Sequence, residues 1–153
     1  MAYSGKFTPT NKHKYKGDWT KIKWRSSWEY TLLKHLDKNP HVLKYSYETV
    51  IIPYRSMADK GKQRRYYMDF FVVYDNGLTC LIEVKPANET MKPKVPKLLT
   101  EKAKMQFSKK AYTYQVNSDK WNAARKYCQL KGWKFFLLTE KNCGQLGLKF
   151  GSK

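Results

Sequence analysis

Acidic residues are scarce in this sequence. Its 153 residues include 12 Asp and Glu against 31 Lys and Arg, which gives a formal net charge of +19. Such a charge destabilises the folded state through self-repulsion, and it predicts a polyanionic partner. Nucleic acid is the favoured partner, because many lysines can neutralise its phosphates at once with release of counterions.

Cysteine and histidine are also scarce, and neither is arranged as metal ligands usually are. The three cysteines are odd in number and lack metal-ligand spacing, which predicts reduced, mostly buried thiols rather than a disulfide framework. The three histidines are too scattered to form a metal site or a histidine-based nuclease motif. The residues concerned are Cys80, Cys128, Cys143, His13, His35 and His41.

Long hydrophobic runs are missing as well. No stretch of about 18 apolar residues occurs, and the N-terminus has no secretory apolar core, so we expect a protein that begins and stays in a cytosol. A membrane surface is the weaker alternative partner, because no helix combines a basic face with a clean apolar one. The content of 41% apolar and 16% aromatic residues excludes wholesale disorder.

What the sequence does contain predicts one folded domain over residues 26–153, preceded by a basic, aromatic N-terminal arm over residues 1–25. The order helix, strand, hairpin, helix, helix, strand predicts an α/β fold around a mixed central sheet. A capping box at Ser26 begins the first helix, and Asn39-Pro40 ends it. The other predicted elements are a strand over 42–54 that Pro53 ends, a basic loop over 55–65, a hairpin over 66–85, helices over 100–112 and 119–130 with a stop at Gly132, a strand over 133–139 and a fraying tail over 140–153.

The hairpin carries an unusual set of charges among apolar residues. Asp-Asn-Gly at 75–77 is a strong tight-turn signal between two β-branched and aromatic runs. If the loop is this tripeptide, counting back along the two strands places Asp69 opposite Glu83. Side chains alternate between faces along a strand, so Lys85 projects on the same side as Glu83. Directly opposed residues share a face, and two carboxylates and a lysine are therefore expected to converge.

This convergence predicts metal-dependent hydrolysis of a phosphodiester. Asp69 and Glu83 would hold a magnesium ion, and the carbonyl of Val84 is a plausible further ligand. Lys85 would orient the attacking water or hold the scissile phosphate. The structural alternative is a buried ion pair, or a strand edge whose charges face solvent. The combination of paired acids, a lysine and a very basic chain favours the nuclease.

A third acid precedes the sheet. Glu29 could reach the metal from the first helix, directly or through water, but it also completes the capping box with Ser26. The two interpretations stay open on the residues alone. Several basic residues are candidate phosphate contacts rather than base readers, although those after residue 100 also fit a solvated helix face. They are Arg64, Arg65, Lys102, Lys104 and Lys109.

The motif around Asp69 and the I-E-V-K segment at 82–85 resembles the PD-(D/E)xK nuclease superfamily, with Met68 in place of the usual proline. Within it, the sequence resembles the TnsA-type endonucleases, in which a helix glutamate precedes the strand aspartate. Segments along nearly the whole chain are similar to the head completion nucleases of T-even-like tailed phages. These segments read M-A-Y-S-G-K, K-Y-K-G-D, R-R-Y-Y-M-D, I-E-V-K-P, Y-T-Y-Q-V-N-S-D-K-W and K-F-F-L-L-T-E.

The resemblance implies a restriction-endonuclease-like sheet flanked by helices, with Glu29, Asp69, Glu83 and Lys85 as the active-site set. It implies endo- and exonuclease activity that is needed after DNA packaging, so that filled heads can join tails. The paired carboxylates predict Mg²⁺, for which Mn²⁺ would substitute, and the dispersed basic residues predict cutting of double-stranded DNA with little sequence specificity. Members of the family act in the host cytoplasm during head completion, and the resemblance also implies contact with portal or neck proteins and presence in the virion head. Two alternatives are a non-catalytic basic protein that binds DNA at the head neck, and a branch-specific resolvase.

Overall fold

The computed structural model describes residues 4–151, and its centre is a four-stranded mixed sheet in the order β3-β6-β7-β8. The pairs β3–β6 and β6–β7 are antiparallel, whereas β7–β8 is parallel. Two small sheets, β1–β2 and β4–β5, flank it. The strands and helices are β1 Gly5–Lys6, β2 Lys23–Trp24, α1 Ser27–Lys38, β3 Val42–Tyr47, β4 Ile51–Ser56, β5 Lys62–Tyr67, β6 Phe70–Tyr74, β7 Thr79–Val84, α2 Glu101–Lys131 and β8 Lys134–Leu138.

Each face of the central sheet is buried under a different layer. Phe70 and Val72 of β6 join the apolar cluster that includes the buried leucines of α1. Phe71, between them, joins a second cluster with Trp121 of α2 and Tyr66 of β5. This alternation follows from the two-residue period of a strand. The predicted α/β fold, with a mixed sheet covered by helices on both sides, is confirmed.

The helix boundaries follow their capping signals. The Ser26 hydroxyl accepts a hydrogen bond from the Glu29 N–H at 3.1 Å, and α1 ends before Asn39. Thr100 caps α2 in the same way, and Gly132 ends it in the left-handed conformation that glycine adopts most readily. All these termini lie where the sequence predicts them.

The predicted strand over 42–54 is wrong, because the chain turns in its middle. Glu48 has a φ of 56°, which ends β3 at Tyr47 and directs the backbone into β4. Pro53 lies inside β4 rather than ending it. It pairs with Arg65 in a two-stranded sheet, in which a strand can tolerate the missing N–H on its open side.

The basic loop predicted over 55–65 is also wrong. Residues 51–56 and 62–67 form the β4–β5 hairpin, and Lys60 and Gly61 at its tip have φ values of 57° and 79°. In β5 only Tyr66 is buried, so this strand lacks the apolar alternation by which half-buried strands are recognised.

A single helix replaces the two predicted over 100–112 and 119–130. The 31 residues of α2 run without a break through Ser118, which caps nothing. The segment contains neither glycine nor proline, and buried Asn117 and Trp121 continue the helix into the core.

The described terminal segments pack on the core. The ring of Phe150 stacks on Trp28 with centroids 4.9 Å apart, and the Trp28 Nε1–H donates to the Gly151 carbonyl at 2.8 Å. The predicted fraying is therefore wrong for the tail as far as residue 151, and residues 152–153 lie outside the described residues. In the predicted arm, Phe7 and Ile22 are buried against the same cluster. Residues 1–3 of that arm lie outside the described residues, and the division into arm and domain stays a prediction.

The three cysteines are free and buried, as the sequence predicts. Over residues 4–151, no helix has the length and apolar character needed to cross a membrane.

Candidate active site

The turn between β6 and β7 sets the register of the central acids. The Tyr74 N–H donates to the Leu78 carbonyl at 2.8 Å, so the loop is the predicted tripeptide. Phe70 pairs with Ile82, and one further step along both strands places Asp69 opposite Glu83. The predicted register is confirmed. Both acids lie on the sheet face covered by α2, because their strand neighbours Phe70 and Ile82 face α1.

Asp69 is held beside the main chain of β7. Its Oδ2 accepts the Val84 N–H at 3.0 Å. Burial raises the pKa of the Asp69 carboxyl well above its ordinary value, and the charges of Glu83 and Glu29 raise it further. The Val84 hydrogen bond and the Lys85 charge act in the opposite direction. Asp69 is therefore a carboxylate that costs free energy to ionise unless a cation stands beside it.

Glu83 is buried and held by a tyrosine from the β4–β5 hairpin. The Tyr66 hydroxyl donates to Glu83 Oε1 at 2.8 Å. Burial raises the pKa of Glu83, while hydrogen bonds from Tyr66 and Asp69 and the charges of Lys85 and Lys120 lower it. Tyr66 was not among the predicted site residues. It was predicted in the first strand of the 66–85 hairpin, whereas the structure places it in β5, paired with β4.

Glu29 acts as a helix cap and also contacts the end of β3. One carboxylate oxygen, Oε1, accepts the Arg25 N–H at 3.0 Å, as a glutamate in the first turn of a helix often does. The other, Oε2, accepts the hydroxyl of Tyr47 at 3.2 Å. Tyr47 ends β3 on the side of Asp69, and the Glu29 charge raises the pKa of Asp69. Glu29 is therefore a cap whose second oxygen is held by Tyr47 and whose charge also acts on Asp69.

Two lysines complete the site. Lys85 follows β7 directly, and its N–H donates to the Leu138 carbonyl at 3.0 Å, which fixes the backbone there. Lys120 comes from the middle of α2. Burial lowers the pKa of Lys120, and the charges of Glu83 and Asp69 oppose that shift. No sequence pattern indicates Lys120, because its position depends on how the long helix packs on the sheet.

The donor set fits a divalent cation of the Mg²⁺ type. Asp69 and Glu83 are hard oxygen donors, and the raised pKa of each reports an electrostatic cost that a bound cation would relieve. The main chain of Val84 adjoins the Asp69 carboxylate. Within the described part of the chain, however, no three His, Cys, Asp or Glu side chains are grouped closely enough to hold a metal ion. Glu29 is therefore not close enough to Asp69 and Glu83 to form a three-carboxylate metal site with them.

The predicted phosphate contacts lie on two elements, β5 and the start of α2. Arg64 and Arg65 are on β5, and Arg64 pairs with Asp59 at 2.8 Å. The three predicted lysines lie in the exposed first turns of α2. At about 1.5 Å per residue, Lys109 is roughly 16 Å and Lys102 roughly 27 Å along the axis from Lys120. The structure does not bring them to the carboxylates. They are Lys102, Lys104 and Lys109, of which Lys104 lies 3.9 Å from Glu101.

A mixed sheet covered by helices, with opposed acids and a lysine on two adjacent strands, defines a restriction-endonuclease-like nuclease domain. The chain belongs to the TnsA-like endonuclease N-terminal family, whose model matches residues 39–140. It is 46% identical over 149 residues to the head completion nuclease of Enterobacteria phage T4, an alignment that covers 97% of this chain and 99% of that protein. No solved structure matches the chain. The family resemblance predicted from the sequence is confirmed.

Proposed function

We propose that this protein is a metal-dependent DNA nuclease with endo- and exonuclease activity and little sequence specificity. We further propose that it acts in phage head completion, where it processes packaged DNA in the host cytoplasm before heads and tails join, near portal or neck proteins. The observation that carries the proposal is the pair Asp69 and Glu83, opposed on one face of the sheet beside Lys85, in a chain of charge +19. The 46% identity to the T4 protein supports the biological setting.

Asp69 and Glu83 would hold Mg²⁺ or Mn²⁺, with the Val84 carbonyl as a further ligand. Such an ion supplies Lewis acidity toward the phosphate and lowers the pKa of a bound water. Tyr66 fixes Glu83 by donating to its Oε1, which leaves the orientation of that carboxylate defined before substrate arrives. Lys85 carries positive charge on the same face, where it can bind the scissile phosphate or orient the attacking water.

The charge distribution supports contact with the DNA backbone rather than with the bases. The exposed first half of α2 presents lysines, which bind phosphates as point charges. Base edges are recognised chiefly by bidentate Arg, Asn and Gln contacts from an element in the major groove. Lys102, Lys104 and Lys109 are accordingly proposed as backbone contacts that add affinity without sequence preference.

Removal of the metal is the direct test of this function. The purified full-length protein should nick supercoiled plasmid and shorten an end-labelled duplex in Mg²⁺, and EDTA should abolish both reactions while salt-sensitive DNA binding persists. Restoration of cutting by excess Mg²⁺ or Mn²⁺ is the control. Cutting that continues in EDTA would contradict metal dependence. Binding without any cutting would instead support the non-catalytic structural protein.

Glu29→Gln separates the two roles of this glutamate. Glutamine keeps an oxygen for the Arg25 N–H, so the cap persists, but it removes the charge that faces Asp69. We expect a loss of cleavage rate of about 10- to 100-fold, typical of a group that acts next to a metal site, with little change in thermal midpoint. Glu101→Gln, which alters the first-turn glutamate of α2, is the matched control and should cut normally. Normal cutting by Glu29→Gln would leave Glu29 as a cap alone.

A further inference from the structure

A cleft separates β5 from α2 on the side of the molecule that carries the acids. Its volume is about 580 Å³. Three residues spaced four apart, Tyr112, Val116 and Lys120, form its α2 wall, so one face of the helix runs along it. The opposite wall is β5, whose strand partner is β4. The lining includes the tyrosines Tyr67 and Tyr112, the cations Lys62, Arg65 and Lys120, and the ion pair of Asp59 with Arg64.

Two of the tyrosines that line this cleft are open to solvent, and one of them is anchored by hydrogen bonds. Tyr67 and Tyr112 are 50% and 46% exposed. The Tyr112 hydroxyl donates to both Asp59 oxygens at 2.9 Å, and Asp59 in turn pairs with Arg64 of β5. This network ties the β4–β5 hairpin to α2 across the cleft. The apolar faces of the two rings are left available, which is the usual arrangement where a base stacks on a protein.

Lys120 connects this cleft to the candidate active site. Lys120 lines the cleft, and its Nζ lies 5.5 Å from the centroid of the Tyr66 ring. The hydroxyl of the same tyrosine donates to Glu83. A chain of phosphates that enters between β5 and α2 would therefore pass the cationic end of Lys120 before it reaches the carboxylates.

The size of the cleft excludes a duplex. A volume of about 580 Å³ is that of a site for a drug-sized or nucleotide-sized ligand, whereas the major groove of DNA alone is about 12 Å wide. The lining of tyrosines and cations is the combination that binds single strands, through base stacking and phosphate contact.

We propose that this cleft binds unpaired nucleotides of the DNA strand next to the scissile phosphate, so that DNA with a single-stranded tail or a frayed end is the preferred substrate. The inference rests on the proposed nuclease function. It adds a substrate class that the carboxylates and the lysine alone do not specify.

Binding without metal tests the cleft independently of catalysis. Two labelled DNAs of the same sequence, one blunt and one with a short single-stranded tail, are titrated in EDTA with wild type, Tyr67→Ala and Tyr67→Phe. We expect wild type to prefer the tailed DNA, and Tyr67→Ala to bind the tail about tenfold more weakly while its blunt-end binding changes by less than about twofold. Tyr67→Phe keeps the ring and should behave as wild type.

Phe136→Ala is the matched control, since Phe136 is 46% exposed and lies on the face of β8 away from α2. It should leave the preference unchanged.

2-Aminopurine at the first unpaired position should be quenched by wild type and not by Tyr67→Ala. An equal affinity of wild type for both DNAs, or a preference that survives Tyr67→Ala, overturns the inference. Plasmid nicking in Mg²⁺ by the same preparations distinguishes the two failures. If wild type cuts but shows no preference for tailed DNA, only the proposal for the cleft is wrong. If wild type does not cut at all, the proposed nuclease function is wrong.

Discussion

Asp69→Asn is expected to slow DNA cleavage in Mg²⁺ about a thousandfold or more, because it removes one of the two carboxylates that we propose as metal ligands. Lewis-acid stabilisation of a phosphoryl transition state supplies several kcal/mol, and about 4 kcal/mol corresponds to a thousandfold in rate. Asparagine has nearly the same shape, and its amide oxygen can still accept the Val84 N–H. The backbone around the site should therefore keep its structure.

The same substitution should stabilise the protein in the absence of metal. The folded-state pKa of Asp69 is raised by burial and by the neighbouring acids, so the ionised form is disfavoured in the folded protein relative to the unfolded chain. Wild type consequently loses stability as the pH rises from the ordinary aspartate value of about 3.9 through the raised value. Asparagine has no such titration. The thermal midpoint of Asp69→Asn should exceed that of wild type at pH 8 in EDTA, and the difference should shrink as the pH falls toward 4.

Plasmid nicking and differential scanning fluorimetry measure the two effects on one preparation. Asp75→Asn, at the exposed turn of the same hairpin, is the matched control and should change neither. DNA binding in EDTA should persist in Asp69→Asn, which shows that lost cutting is not lost binding. Wild-type cutting by a folded Asp69→Asn protein would refute the assignment of the acids.

The hairpin acids could be placed from sequence because their geometry is local. A turn of known length fixes the register, and the two-residue period of a strand then determines which side chains share a face. The start of α1 is local in the same sense, since Ser26 and Glu29 lie within one turn. The family motif added Glu29 to the set. Its second oxygen accepts the Tyr47 hydroxyl, and its part in the active site stays a prediction.

The misplaced elements depended on interactions beyond sequence neighbours. The break between β3 and β4 occurs at Glu48, a residue type that seldom adopts positive φ. Its N–H donates to the Asp69 carbonyl at 2.9 Å, so the turn is stabilised by a strand far along the chain. The polar strand β5 is ordered by pairing with β4, not by its own pattern. Tyr66 and Lys120 reach the acids only through these tertiary contacts, and they were missed for that reason.

Asp37→Ala is expected to cost about 3–5 kcal/mol of stability, the largest effect we predict outside the acids. Asp37 lies near the end of α1 and is only 2% exposed. Its carboxylate accepts the Thr10 N–H at 2.9 Å, the Asn11 N–H at 3.2 Å and the Tyr45 hydroxyl at 3.0 Å. The substitution would leave these three donors without their acceptor.

A buried lysine makes the loss of stability in Asp37→Ala larger. Lys14 Nζ donates to the carbonyls of Leu36, Asp37 and Asn39 at 3.3, 2.9 and 2.8 Å, so an N-terminal side chain caps the end of α1. The Asp37 carboxylate is the charge that opposes the burial of this ammonium group. Its removal leaves a buried cation without a counter-charge, which is among the most destabilising changes a single substitution can make.

Thermal and denaturant unfolding would measure this effect, and a fall of roughly 10 °C in midpoint is expected at about 2–4 °C per kcal/mol. Lys38→Ala, at the exposed next position of α1, is the control and should shift the midpoint by little. Glu29 lies eight residues, or about 12 Å, along the helix from Asp37, so cleavage by folded Asp37→Ala below its midpoint should be close to wild type. A midpoint unchanged in Asp37→Ala would mean that the N-terminal segment contributes little to the fold. A loss of cutting without a loss of stability would mean that this anchor instead positions the acids.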